Sequence, residues 1–404
     1  MRHALMIALA AFNLYIAVPA SIAGESNASG PVQITDVAKG KTPSIAAGDG
    51  TLHIAYQNDS SIFYSASSDE GKSWSAQANV SGKGQSCSLP AIATGADGSV
   101  NIVWQDKPAG ENEIDIFYAR SADGGKNWSE PTNISKTTTA SSEPELAVGP
   151  DNSVHIVWID ALSGPKCPDV YYTCSKDGGK TWSNKEDISN TPGVCTNPAI
   201  AAGTDGAVHV AWMDTSSGET HPDILYVCKS DNGWTKWKDI SNSPRFSTHP
   251  SIGCGPKGKV YLVWSDNSRK EHSADIWCAI SHRNGNFGKP INISNSRGVS
   301  NQPVIAVDQT DRLAVVWSDT SASLTVPDIW ARTGLAEGFS NVLQLCQTEG
   351  LSVHPSVTTA NKKAYVVWEE VEGSKSTVRG CFVPISIAVG PAENVDAIHY
   401  GHSR

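Results

Sequence analysis

The chain has 404 residues with 31 basic against 41 acidic side chains, a formal charge of −10. An acidic balance of this size argues against nucleic acid and anionic membrane surfaces as partners, since both repel a negative field. Gly, Ser, Asn and Asp are abundant and apolar runs are short, so beyond the N-terminus nothing is long enough to span a bilayer.

The first 23 residues differ from the rest. Arg2 and His3 precede an apolar run over 4–18, and the small residues Ser21 and Ala23 stand where a signal peptidase would cut. Residues 1–23 read as a signal peptide, so the mature chain is expected to be secreted, periplasmic or at the cell surface, without a membrane span. Loss of Arg2 leaves 30 basic against 41 acidic side chains, a formal charge of −11.

Residues 24–386 repeat. Seven apolar runs end in an aromatic, at 52–56, 100–104, 154–158, 208–212, 260–264, 313–317 and 364–368. Each follows a Pro-led strand and precedes a third strand, at 62–64, 115–118, 169–172, 223–226, 275–278, 328–331 and 378–382. Short turns between the first two point to hairpins. A fourth strand ends in Asn-Ile-Ser at 133–135 and 292–294. Four-stranded antiparallel units of about 50 residues are suited to radial packing around a channel. The expected fold is therefore all-β, a seven-bladed β-propeller whose blades start near residues 42, 83, 136, 190, 242, 295 and 347. The last unit runs out after three strands, whereas V-Q-I-T-D-V at 32–37 is a spare strand ahead of the first. Blade seven is expected to be closed by this N-terminal strand, and 387–404 to be a C-terminal extension.

An octapeptide marks the turn between third and fourth strands: S-S-D-E-G-K-S-W at 67–74, S-A-D-G-G-K-N-W at 121–128 and S-K-D-G-G-K-T-W at 175–182. The tryptophans are 54 residues apart. Asp69, Asp123 and Asp177 can accept N–H bonds within their own turns, Gly71, Gly125 and Gly179 supply positive φ, and Trp74, Trp128 and Trp182 bury apolar area. Worn copies lie at 230–237, ending in Trp237, and at 281–287. No residue type in the pattern is nucleophilic, so it is read as structural.

The pattern S-x-D-x-G-x-x-W resembles the Asp-box, or BNR repeat, of the sialidase superfamily. The resemblance implies propeller blades with the box between their third and fourth strands. For a sialidase it also implies three arginines gripping a carboxylate, an acid/base Asp and a Tyr nucleophile paired with Glu. The first such arginine belongs to an F/Y-R-I-P motif. Here the blade-opening prolines 43, 90, 144, 198, 250, 303 and 355 have Lys41, Ser88, Ser142, Thr196, Thr248, Asn301 and Val353 two residues earlier, and none is arginine. Arg120 and Arg332 fall on third strands near the box rim. Characterised sialidases have six blades, another departure. No catalytic residue is assigned. The expected function is a non-catalytic glycan- or protein-binding or assembly module, acting as a monomer. The alternatives are an exo-acting glycoside hydrolase with a rearranged site and a purely structural surface protein.

Five acid pairs recur: Asp106 and Asp115, Asp160 and Asp169, Asp214 and Asp223, Asp266 and Asp275, Asp319 and Asp328. Each pair should face across the base of a rim loop and cap its backbone N–H groups. No cofactor is expected; a calcium ion between Asp266 and Asp275 is the alternative, since hard oxygen ligands suit that ion. Of nine cysteines, Cys167 and Cys195 are the best disulfide candidate, because propeller geometry brings both loops to one rim. A basic sector, Arg245, His249, Arg269, Lys270, His272 and Arg297, is expected on the rim of blade five. In so acidic a chain it would attract an anionic sugar or acidic protein.

Overall fold

The computed structural model describes residues 32–385 apart from 85, 109, 111–112, 163, 165–166, 217–220, 271–272, 283–284, 324 and 336–337. The signal peptide and the C-terminal extension read from the sequence lie outside the described residues.

Seven antiparallel sheets are arranged as a β-propeller, and no helix occurs among the described residues. The innermost strands are Lys41–Gly48, Ser88–Thr94, Ser141–Val148, Cys195–Ala202, Ser247–Cys254, Ser300–Val307 and Leu351–Ala360. In blade three the second strand, Val154–Asp160, pairs in continuous register with the third, from Val154↔Ser175 to Asp160↔Asp169. Every residue of that second strand is buried. Both faces of a blade are covered by its neighbours, so its central strand reads as a continuous apolar run instead of alternating. Burying each Val or Ile there stabilises by about 1.5–3 kcal/mol. Tyr56, Trp104, Trp158, Trp212, Trp264, Trp317 and Trp368 end these strands, each at most 1% exposed.

Ring closure uses the N-terminus. Thr35–Lys39 pairs antiparallel with Lys375–Pro384, completing a sheet whose other members are Lys363–Glu372 and Leu351–Ala360. Pairing the two chain ends removes the open strand edge that a broken ring would present.

The boxes act between blades. Asp123 Oδ1 accepts bonds from Ser121 Oγ at 2.7 Å, Lys126 N at 3.1 Å and Asn127 N at 2.8 Å, and Oδ2 accepts from Asn127 Nδ2 at 2.6 Å. These donors hold its carboxyl down at about 2, as their counterparts do for Asp69 and Asp177. Trp128 then meets Tyr64 of blade one edge-on, and Trp182 meets Tyr118 of blade two in the same way. In the fourth copy the aromatic is Trp234, edge-on to Tyr172 at 4.9 Å, whereas Trp237 is exposed. The sequence reading had ended that box at Trp237. The turn is shorter there, with Gly233–Trp234 pairing directly onto Asp223–Ser230, so the ring arrives three residues earlier.

The five acid pairs are register partners, as in Asp106↔Asp115 and Asp266↔Asp275. Like charges facing across a sheet are tolerated because donors converge on them. Asp115 Oδ1 accepts Ser135 Oγ and Thr137 N, Asp266 accepts Ser247 Oγ and Ser268 N, and Asp275 Oδ1 accepts Ser294 Oγ and Ser296 N. Among the described residues no group of three or more His, Cys, Asp or Glu is gathered as a metal site.

Cys167 and Cys195 are not bonded to each other. Cys167 Sγ lies 3.8 Å from Pro192 O, and buried Cys195 Sγ lies 3.3 Å from Asp214 Oδ2. The two loops do share a rim, since Cys195 N donates to Pro168 O, but Cys195 turns inward to the core of its own blade pair.

Candidate functional site

Each inner strand contains proline near its start. Proline has no N–H for the ladder, so the strand bulges there, with register breaks such as Lys41/Ser44, Ser142/Glu145 and Thr248/Ser251. The residue before each proline absorbs the bulge in a left-handed conformation: Thr42, Leu89, Glu143, Asn197, His249, Gln302 and His354 have φ between 46 and 53°. Seven such residues, one per blade, form a ring at the mouth of a cavity of about 460 Å³ on the propeller axis.

Backbone and side chains of this ring are linked from blade to blade. Glu143 N donates to Gln105 Oε1 at 3.1 Å, and Glu143 Oε2 accepts from Asn197 N at 2.5 Å. Across the bore, His354 N donates to Gln302 Oε1 at 3.1 Å, and Glu369 Oε2 lies 3.0 Å from His354 Nδ1 while accepting from Thr42 N at 3.1 Å. Among the described residues His249 Nδ1 and Thr42 Oγ1 are buried without a hydrogen-bond partner.

The electrostatics follow from confinement. Glu145, two residues after Glu143, also lines the bore, where its side chain reaches solvent yet is ringed by protein. That desolvation, with a smaller push from the Glu143 charge, raises its carboxyl to about 7. Desolvation raises Glu143 too, against the Asn197 N–H that favours its ionised form. Burial opposes ionisation of Glu369, but donors from His354, Ser376 and Thr42 outweigh it and hold that carboxyl below its usual range. His249 is lowered by burial and then by the nearby His354, which keeps its ring neutral. No Lys, Arg or Tyr is among the described residues lining this cavity.

The basic sector read from the sequence is only partly brought together. Linkers and the loops between second and third strands do share a rim, shown by Asn267 N donating to Phe246 O at 3.2 Å and Gly298 N to Ser321 Oγ at 3.1 Å. On it Arg245 is half-buried and Arg297 exposed. Val260–Lys270 and Ser273–His282 run on as a hairpin past the Asp266↔Asp275 pair, with Lys270 opposite Ser273. His272 and the side chains of Arg269 and Lys270 lie outside the described residues. His249 does not belong to that surface: the bulge before Pro250 turns it into the bore. The sialidase pattern points to the residue two before each proline and so misses the residue immediately before it, the one that faces the channel. Glu143 and Glu145 were missed with it. The available signal was a proline recurring in seven strands with a bulky or polar residue always ahead of it.

Residues 42–198 match the profile of a family described as BNR repeat-containing. The fold is a seven-bladed β-propeller, and the BNR-repeat match covers part of it. Solved structures similar to this propeller include a protein of unknown function from Dyadobacter fermentans, with a TM-score of 0.57 and 13% identity over 88% of this chain and 99% of that one. A Hadza microbial sialidase aligns with a TM-score of 0.52 and 13% identity, over 83% and 73% of the two chains. An ulvan lyase of a polysaccharide lyase family has a TM-score of 0.57 and 10% identity, over 88% and 94%. At these identities the likeness is one of fold, shared with propellers whose work is on carbohydrates. No curated protein sequence matches this chain.

Proposed function

We propose that the protein is an exported, non-catalytic propeller that binds the end of a glycan chain in the mouth of its bore. The observation that carries this reading is the ring itself: hydrogen-bonding groups from Glu143, Asn197, His249, Gln302 and His354 converge on one cavity of about 460 Å³ from rigid strands. Ligand pockets of this size combine a few fixed polar groups with apolar wall, and here Leu89 and the ring of prolines provide the wall. Amides, carboxylates and imidazoles suit sugar hydroxyls, which both donate and accept. Phe246, exposed on the adjoining rim and edge-on to His221 at 5.1 Å, offers an apolar face to a following sugar. The absence of arginine and tyrosine from the described lining argues against the carboxylate grip and nucleophile of a sialidase.

A glycan array, run beside fluorogenic sialosides and other aryl glycosides on one preparation, tests this. Binding without turnover is expected. Gln302→Gly and His249→Gly each remove a ring side chain while keeping the left-handed backbone accessible, and each should weaken binding at least tenfold with the fold intact. Unchanged affinity in both variants would move the site elsewhere.

One observation favours a second reading, a hydrolase or lyase with a rearranged site. Glu145, at about 7, lines the bore with Glu143, whose carboxyl is also raised by desolvation, and a carboxyl poised near neutral pH is what general acid and base chemistry uses. Turnover of any glycoside that disappears in Glu145→Gln would replace the binding reading with this one.

A further inference from the structure

We propose that the bore selects glycan ends bearing a free amine, an unacetylated amino sugar whose ammonium group sits against Glu145 and Glu143. This rests on the glycan-binding reading above and specifies its ligand class.

The argument is one of charge and valence. Among the described lining residues the formal charges belong to Glu143 and Glu145, and no Lys or Arg offsets them. Every other polar group facing the bore is neutral or engaged. Asn197, Gln302 and Thr42 carry no charge, His249 is kept neutral by burial, and His354 is tied to Glu369. Of the two carboxylates, Glu143 already accepts the Asn197 N–H. Among the described residues no Lys, Arg or His is paired with Glu145. A concave site lined by one sign of charge focuses its field and concentrates ligands of the opposite sign. The same field disfavours uronic or sulfated sugars.

A metal cation fits less well, because among the described residues no group of three His, Cys, Asp or Glu is gathered closely enough to hold one. An ammonium needs no such cage: it brings three N–H donors, enough for the Glu145 carboxylate and a neighbouring acceptor. The raised affinity of Glu145 for a proton agrees with this geometry. The carboxyl is held protonated by confinement and by its neighbour's charge, and both effects are relieved when a fixed cation arrives. Binding near pH 6.5 should therefore displace the Glu145 proton to solvent while the amine keeps its own.

The probes are the β-1,4-linked glucosamine trimer and its fully N-acetylated counterpart, titrated calorimetrically at pH 6.5 in two buffers of different ionisation enthalpy. The expected result is at least tenfold tighter binding of the amine trimer, with proton release that the N-acetylated trimer does not cause. In Glu145→Gln, the preference for the amine trimer and the proton release should both vanish, with the melting temperature unchanged. Equal affinities, or a preference that survives Glu145→Gln, would overturn the inference. So would tighter binding of an acetyl-lysine amide than of the amine trimer, since that would assign the pocket to a peptide. If neither trimer binds while other neutral glycans on the array do, the amine inference falls and the glycan-binding reading stands. An empty array removes both.

Discussion

The indole of Trp128, in the box of blade two, stands edge-on to the phenol of Tyr64 in blade one, with ring centroids 5.0 Å apart and planes at 66°. Tyr64 in turn lies 2.7 Å from His53 Nδ1 through its hydroxyl, and the same hydroxyl donates to Gly124 O at 3.2 Å. The box of one blade is thus the clasp on the preceding one, and its glycine makes room for the contact. A Cβ built on Gly125, at φ 91°, would lie 2.0 Å from the Tyr64 hydroxyl.

Gly125→Ala is expected to push Tyr64 out of its place and strain the turn. Trp128→Ala should remove the clasp and cost about 3 kcal/mol. Urea unfolding of both variants checks this. A midpoint unchanged in Gly125→Ala would mean that the clasp contributes nothing.

Closure gives a second expectation. Deleting residues 24–38 removes most of Thr35–Lys39 and uncovers the edge of Lys375–Pro384. The truncated protein should melt at lower temperature and self-associate through that edge. A monodisperse truncation with the parent's melting temperature would show that the ring does not need its fourth strand there.

Acid should weaken the fold in two stages. His155 and His209 are lowered from 6.5 to about 4, chiefly by burial. The unfolded chain takes up protons that the folded ring refuses, so stability falls as pH drops from 6.5 to 4, by on the order of 3 kcal/mol per histidine. Asp69, Asp123 and Asp177 are lowered from 3.8 to about 2 by the donors of their own turns. Their contribution is present above 3.8 and is lost as pH falls towards 2. Urea midpoints measured at pH 7, 5.5, 4 and 3 should decline throughout; a flat profile between 7 and 4 contradicts the histidine assignment.

The rim carries a separate expectation. Arg245 and Arg297 share it, and the bore beside them is lined by carboxylates. Replacing both by Ala should weaken binding of sulfated or carboxylated glycans and flatten its dependence on salt, while leaving neutral and amine-bearing glycans unaffected. Losses in all three classes alike would mean that the arginines act through the fold.

Thiol labelling tests the cysteine arrangement. Cys167 is partly accessible, whereas Cys195 is buried and its thiol is pushed up by burial and the Asp214 charge. Native alkylation should modify Cys167 and spare Cys195. Recovery of a peptide joining the two from a non-reducing digest would show that the bridge forms after all.

Much of this architecture was legible in the chain alone, because a repeated blade makes the same physical demand seven times. The apolar run ending in Trp158 or Trp212 returns wherever a strand is covered on both faces, and the spare strand at 32–37 is needed because the last unit has one too few. The register pairs Asp160↔Asp169 and Asp214↔Asp223 follow from the same recurrence. What recurrence does not carry is the identity of neighbours that come from different blades. Glu143 and Glu145 share the bore with His249 and His354 only because a bulge at each proline turns one residue inward and the ring then closes. Along the sequence His249 and His354 are about a hundred positions or more from Glu143 and from each other, and the residue ahead of the proline changes chemistry from blade to blade, from Thr42 and Leu89 to Glu143 and His249. The same holds for Trp234, which replaces Trp237 as the clasp because the hairpin before it is shorter. Periodic burial is a local property that sequence records directly; convergence on an axis is a property of the closed ring, and only the tertiary structure decides it.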